Sequence, residues 1–337
     1  MRQWQRNLLM PAVLVACVLA AASARAQPVT MDDLAAAVVQ VKAHINPDGR
    51  TAETLGLERK GSGVVIGSDG LVLTIGYIIV EAHAVEVTTN GGHAVPAQVV
   101  GYDHESGFGL VKATQPLNVR PMALGKSAAL KERDPVLIAS AGGVDTVAAA
   151  RVVGRRAFAG SWEYLLEDAI FTAPPYPAWS GAALISREGK LVGIGSLIVR
   201  DAASGKGEPE PGNMFVPIDR LGPILADLIS EGRSLAPSRP WLGLTTEEVA
   251  GHLVVSRVAA DGPAEKAGLK RGDIIVGVGG KPAKSLADFY RMVWAKRSAG
   301  ASVPLDVRRR ENAGMPTRRI DVQSMNRMDH LKLKSTF

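Results

Sequence analysis

The sequence has almost no cysteine, since Cys17 is the only one in 337 residues, and a disulfide framework is therefore excluded. Histidine is also scarce. The six histidines are scattered and show no HExxH-type spacing, which argues against a zinc site, and no cofactor is expected. Beyond the N-terminal segment no apolar run reaches the ~18 residues that a membrane-spanning helix needs. A large excess of one charge is missing as well. The formal net charge is +6, and removing residues 1–26 would leave 36 basic against 33 acidic residues, or +3, too weak a field to argue for a nucleic-acid partner.

What is present begins with a targeting pattern. Arg2 and Arg6 precede the apolar run "LLMPAVLVACVLAAA", and the small-residue site "ASARA" follows it, so a signal peptide over 1–26, cleavage after Ala26 and a periplasmic address are expected. "LVAC" at Leu14–Cys17 resembles a lipobox. Residues 18–24 stay apolar or small where a lipoprotein turns polar, so anchoring at Cys17 is disfavoured.

The chain exceeds the typical domain of about 100 to 200 residues, and two domains are expected. From residue 61 short β-branched runs alternate with turn signals: Asp69-Gly70 in "GVVIGSDGLVLT", Asn90-Gly91 in "VEVTTNGGHAVPAQVVGYD" and Glu188-Gly189 in "GAALISREGKLVGIGSLIV". Strands at this spacing with few helical stretches predict an antiparallel sandwich or barrel. "MDDLAAAVVQVKAHI" ahead of them begins as a short helix, and "RDAASGKGEPEPG" reads as a polar loop.

Helical spacing over 219–230 and the Gly/Ser/Pro-rich "EGRSLAPSRP" place a linker at 231–239. A separate mixed α/β module follows over 240–325, with a basic tail at 326–337. In that module "SLADFYRMVWAKR" sets Leu286, Phe289 and Val293 on one face of an amphipathic helix.

Together these segments resemble the HtrA (DegP-like) proteins, exported serine proteases with a chymotrypsin-like (trypsin-like) double β-barrel followed by a PDZ domain. The resemblance rests on "GSGVVI" (61–66), "LVLT" (71–74), "GYDHESGFGLVK" (101–112), "PAWSGAAL" (177–184), "MFVPI" (214–218) and "AEKAGLKRGDIIVGVGG" (264–280). It implies a mainly β fold with the protease domain over 27–230. It also implies where the triad stood. Ser180 keeps the nucleophile position, Tyr77 stands where the general base belongs, and Gly107 stands where the orienting aspartate belongs.

A serine hydroxyl needs an adjacent base to take its proton and a third group to hold that base. A phenol with a pKa of about 10 is a donor near neutral pH and does not serve. Losing the base costs on the order of 10⁶ in turnover. In the oxyanion-hole turn Ala178 replaces the family's glycine, and Trp179 its following Asn or Asp. His83 and His104 are the alternative bases to weigh, and Lys112 is a weaker one.

In the PDZ part the resemblance implies that Trp241, Leu242, Gly243 and Leu244 form the loop that catches a peptide's terminal carboxylate, with Arg239 adding charge and Phe289 and Val293 lining the side-chain pocket. The expectation is an HtrA-like pseudoprotease that binds unfolded proteins or polypeptide C-termini, as chaperone, adaptor or regulator in envelope quality control. The family's trimers suggest a homo-trimer, or a hetero-trimer with an active paralogue. The alternatives are an active serine endopeptidase using Ser180 with an unusual base, and a structural protein with neither activity.

Overall fold

A computed structural model of the protein describes residues 28–203, 209–295, 298–309 and 317–333. The expected signal segment with Cys17, part of the 200–212 loop and the last four residues lie outside the described residues.

The N-terminal stretch starts as a helix, α1 Met31–Ala36, and turns directly into β1 Val38–Ile45. Thr30 caps α1 by accepting from the Asp33 N–H at 3.1 Å, while the Asp33 carboxylate accepts from the Thr30 N–H at 3.0 Å, a reciprocal capping box. In β1 the buried Val39, Val41, Ala43 and Ile45 alternate with Gln40, Lys42 and His44, the period of two that faces one side to a core.

After α2 Ala52–Leu55 come β2 Glu58–Val65, β3 Leu71–Ile75, β4 Ala82–Thr88, β5 Ala94–Tyr102 and β6 Phe108–Ala113. With β1 they close a barrel in the order β1-β2-β3-β6-β5-β4. β7 Pro135–Ala139, β8 Ala148–Gly160, β9 Tyr164–Ala173, β10 Ala183–Ile185, β11 Leu191–Val199 and β12 Gly212–Pro217 close a second, in the order β10-β11-β12-β9-β8-β7. This is the trypsin-like double barrel.

Turn chemistry differs from expectation at one hairpin. Gly70 and Gly189 take the positive φ of their turns, but between β4 and β5 that role falls to Gly92, not to Asn90-Gly91. Asn90 is committed elsewhere: its side chain donates to the Ala35 carbonyl at 2.8 Å and accepts from the Gly142 N–H at 2.9 Å, which ties the turn to both α1 and the second barrel. The helix expected over 219–230 is also shorter, α3 Leu225–Glu231. Pro223 removes a backbone donor and disfavours α-helix before it, so Ile218–Arg220 forms only a short 3₁₀ turn and the α-helix begins beyond it.

The C-terminal module contains β13 Leu244–Val249, β14 His252–Val258, α4 Pro263–Lys266, β15 Ile274–Val278, β16 Lys281–Pro282, α5 Leu286–Trp294, β17 Ser302–Arg308 and β18 Arg318–Gln323. Its sheet runs β13-β14-β15-β17-β18, with β16 beside β15 and β13 at an edge. Leu286, Phe289 and Val293 are buried on the inner face of α5, as the helical spacing predicts. Ser285 caps this helix by accepting from the Asp288 N–H at 3.1 Å.

The chain then folds back as α6 Arg327–His330. Leu331 packs with Val80 and Tyr102 of the first barrel, and the Lys332 N–H donates to Glu81 at 2.7 Å.

Candidate functional site

Ser180 lies in the turn before β10, and Tyr77 lies in a single helical turn after β3, so the two barrels each supply one of the pair. β2 passes directly beneath the serine. The Ser62 N–H donates to the Ser180 carbonyl at 2.8 Å, and a Cβ on Gly61 would stand 2.7 Å from that carbonyl and 2.8 Å from Ser180 Oγ, a separation only glycine allows. The Ala182 N–H donates to the Trp179 carbonyl at 3.0 Å and closes the turn; Ala178 is exposed and Trp179 half-buried.

The Tyr77 hydroxyl stands 3.0 Å from Ser180 Oγ and 2.9 Å from the Ser196 carbonyl of β11. It has one proton and serves one of them at a time. Toward Ser180 it therefore presents either a donor or a neutral phenol oxygen. Burial pushes the Tyr77 pKa up to about 12, against the pull of its hydrogen bond to Ser180. At pH 7 the phenolate, the only form able to act as a base, is about 10⁻⁵ of the population. Among the described residues, the hydrogen bonds of the Ser180 hydroxyl run to Tyr77 alone.

Gly107 sits at φ +84°, and its carbonyl accepts from the Gly76 N–H at 2.7 Å. A side chain there would meet the Tyr164 hydroxyl 3.3 Å from its Cβ, and Tyr164 already donates to the Ser106 carbonyl at 2.8 Å. The space an orienting carboxylate would need is occupied by a phenol.

The alternative bases are not brought to the serine. His83 is exposed on β4, its ring 6.4 Å from that of His44 on the neighbouring strand. His104 is fully committed elsewhere: Nδ1 lies 3.1 Å from the Tyr102 hydroxyl, Nε2 lies 3.3 Å from the Glu163 carbonyl, and the Arg327 guanidinium lies within 2.9 Å of both nitrogens. Burial and the Arg327 charge hold its pKa well below the usual histidine range. Lys112 pairs with Asp69 at the surface. Among the described residues no cluster of His, Cys, Asp and Glu could hold a metal ion.

A cavity of about 660 Å³ lies over Tyr77 and Ser180 and continues beneath the C-terminal module. Trp162, Tyr164 and Trp179 of the barrels line it together with Trp241, Gly243 and Leu244 of the module and His330 and Leu331 of the last turn.

The loop expected to receive a peptide carboxylate already holds one. Glu163, in the turn between β8 and β9, accepts from the N–H groups of Leu242 at 2.8 Å, Gly243 at 2.7 Å and Leu244 at 2.8 Å. It is 4% exposed. Burial pushes its pKa up to about 7, against three backbone donors that pull it down. Trp241 is not among those donors, because its N–H pairs with the Met325 carbonyl at 3.0 Å and its ring packs 4.6 Å from that of His330. Arg239 is not at the loop either. It pairs with Glu105 at 2.9 Å and covers the Trp294 ring at 4.6 Å. Phe289 and Val293 are fully buried in a core that also contains Leu165 of β9.

Sequence reasoning missed Glu163, Tyr164 and Arg327. Each acts across a long stretch of chain, and "SWEYLLEDA" carries the pattern of an ordinary strand.

Comparison with known proteins matches residues 61–194 to the trypsin-like peptidase domain and residues 240–322 to the PDZ domain. A probable periplasmic serine endoprotease DegP-like of Ectopseudomonas mendocina (strain ymp) is 30% identical over 78% of this chain and 56% of its own length. The chain belongs to the HtrA family. Serine protease PepD of Mycobacterium tuberculosis is 29% identical over 84% of the chain and 64% of its own length. The solved structure of the HtrA-type protease AlgW with decapeptide shares the fold, with a TM-score of 0.52 and 22% identity over 91% of this chain and 100% of that one. The chain spans about half the length of the DegP-like relatives it matches. The HtrA relatives are named as proteases; this HtrA chain carries the geometry described above.

Proposed function

We propose that the chain is a pseudoprotease of the HtrA family, exported to the periplasm, that binds unfolded or C-terminal polypeptide segments through its PDZ domain and acts as chaperone, adaptor or regulator of an active relative. The observation that carries this reading is the phenol of Tyr77, 3.0 Å from the one retained triad oxygen. With no imidazole there and no carboxylate at 107, attack by Ser180 has no acceptor for its proton, a loss on the order of 10⁶ in turnover. Ala178 and Trp179 in place of the family's glycine and its Asn or Asp would weaken the oxyanion hole by a further ~10² to 10³. Binding through the PDZ domain needs none of these groups. The address is supported by the targeting pattern of residues 1–26 and by relatives named as periplasmic. The family's trimeric assembly, with copies of this chain or with an active paralogue, is one route to regulation.

The competing reading is an active endopeptidase, favoured by the retained Ser180 and by the names of the relatives. Reaction of the purified chain with a serine-directed fluorophosphonate decides between them. The expected result is no labelling and no casein hydrolysis; labelling that disappears in Ser180→Ala would overturn the pseudoprotease reading. For the PDZ part, a hydrophobic peptide with a free C-terminus is expected to bind, and to lose binding in Gly243→Val, because Gly243 sits at φ +81°.

A further inference from the structure

The β8–β9 turn does more than touch the PDZ domain. It follows the course of a bound peptide. On the free edge of the sheet, the Thr246 N–H of β13 donates to the Ser161 carbonyl at 2.9 Å, a strand-type contact. On the opposite wall, Tyr290 of α5 donates from its hydroxyl to the Gly160 carbonyl at 2.8 Å and accepts there from the Glu163 N–H at 3.1 Å. Between these walls the Glu163 carboxylate receives the three consecutive N–H groups of Leu242, Gly243 and Leu244, and Leu165 enters the same core as Phe289 and Val293. A main-chain pairing on the sheet edge, a carboxylate in the N–H loop and an apolar side chain in the core beside it are the features by which an extended peptide terminus is held.

We infer that Glu163 is an internal ligand of the PDZ domain, its side-chain carboxylate standing in for the terminal carboxylate of a peptide, so that a hydrophobic chain terminus binds only by displacing the β8–β9 turn. This inference rests on the peptide-binding reading above and adds its regulation. The displacement is feasible for a physical reason. Glu163 sits at a left-handed φ of +58° and gives up nearly all of its hydration, so part of what the three hydrogen bonds contribute is spent on burial and backbone strain. Among the described residues, the other ion pairs between barrels and PDZ domain, Arg50 with Asp261, Arg257 with Glu53 and Arg291 with Glu167, are exposed pairs that contribute little each. Because Trp241, Gly243 and Leu244 line the cavity over Ser180, lifting the turn from the loop also changes that cavity.

The test uses the full chain and two variants, Glu163→Ala and the isosteric Glu163→Gln. Two quantities are measured: amide hydrogen exchange at Leu242–Leu244 without peptide, and fluorescence anisotropy with a fluorescein-labelled peptide ending in Leu-Leu-Val, as the free acid and as the amide. The expected result is loss of amide protection in Glu163→Ala, and free-acid binding about tenfold tighter or more than in the unaltered chain, with Glu163→Gln between the two and the amide weak throughout. Unchanged protection at Leu242–Leu244 in both variants would overturn the inference, as would equal free-acid affinity in all three proteins. Loss of protection with no peptide bound by any of the three proteins would support Glu163 as the loop's ligand and refute peptide binding as the function.

Discussion

Tyr77 and Ser180 are joined across the two barrels by a 3.0 Å contact between hydroxyl oxygens, and the Ser196 carbonyl competes for the phenol's single proton at 2.9 Å. The phenol is positioned as close to Ser180 as a general base would be. Its chemistry is that of a donor.

Replacing Tyr77 with histidine alone is therefore expected to leave Ser180 unlabelled by fluorophosphonate over the period that labels an active serine protease. An imidazole without an orienting carboxylate runs ~10⁴ below a complete triad. Supplying the carboxylate through Gly107→Asp meets the Tyr164 hydroxyl and a φ of +84°. Labelling of Tyr77→His within tenfold of an active protease would show that another group orients the ring.

Gly61→Ala should destabilise the junction of β2 with the Ser180 turn. The added Cβ would lie 2.4 Å from Ile78 Cδ1 and 2.7 Å from the Ser180 carbonyl, and such overpacking costs ~1–3 kcal/mol. A thermal melt should show a fall of several degrees; an unchanged Tm would mean that the turn can move away freely.

Tyr290→Phe removes the hydroxyl that holds both the Gly160 carbonyl and the Glu163 N–H. Losing these two hydrogen bonds costs about 0.5–1.5 kcal/mol each. Faster amide exchange at 160–165 is expected, with the first barrel unaffected. Exchange that stays as slow as in the unaltered chain would show that the hydroxyl carries little of the contact.

Glu81 gives a pH dependence with a definite sign. Burial opposes its charge, but the Thr51 hydroxyl and the N–H groups of Lys332, Thr51 and Arg50 outweigh burial and hold its pKa below the ordinary 4.5. The Glu81 charge in turn favours the protonated forms of the nearby Arg59 guanidinium and Tyr102 hydroxyl. A depressed carboxylate pKa stabilises the fold above the unfolded-state value, and that contribution disappears as pH falls through the folded-state value. The Tm gap between the unaltered chain and Glu81→Gln should be full at pH 7 and narrow as pH drops below 4.5. A gap that does not change with pH would assign the effect to packing alone.

Much of the molecule was legible along the chain. The glycines of two hairpin turns and the amphipathic α5 follow from local rules of period and φ, which a sequence states directly, and the positions of Tyr77, Gly107 and Ser180 follow from the resemblance to the HtrA proteins. The absence of an imidazole at 77 needs no coordinates at all. Other features depended on residues brought together from far apart: the Tyr164 hydroxyl at Gly107, Arg327 against His104, and Glu163 in the loop of Leu242–Leu244. A carboxylate's partner is whichever donor group the fold delivers to it, and no periodicity marks a turn whose hydrogen bonds end some eighty residues later. The sequence by itself determined the architecture and the absence of an imidazole at 77; the tertiary structure decided that the N–H loop of Leu242–Leu244 is filled from within by Glu163, because only packing sets which charge meets which N–H.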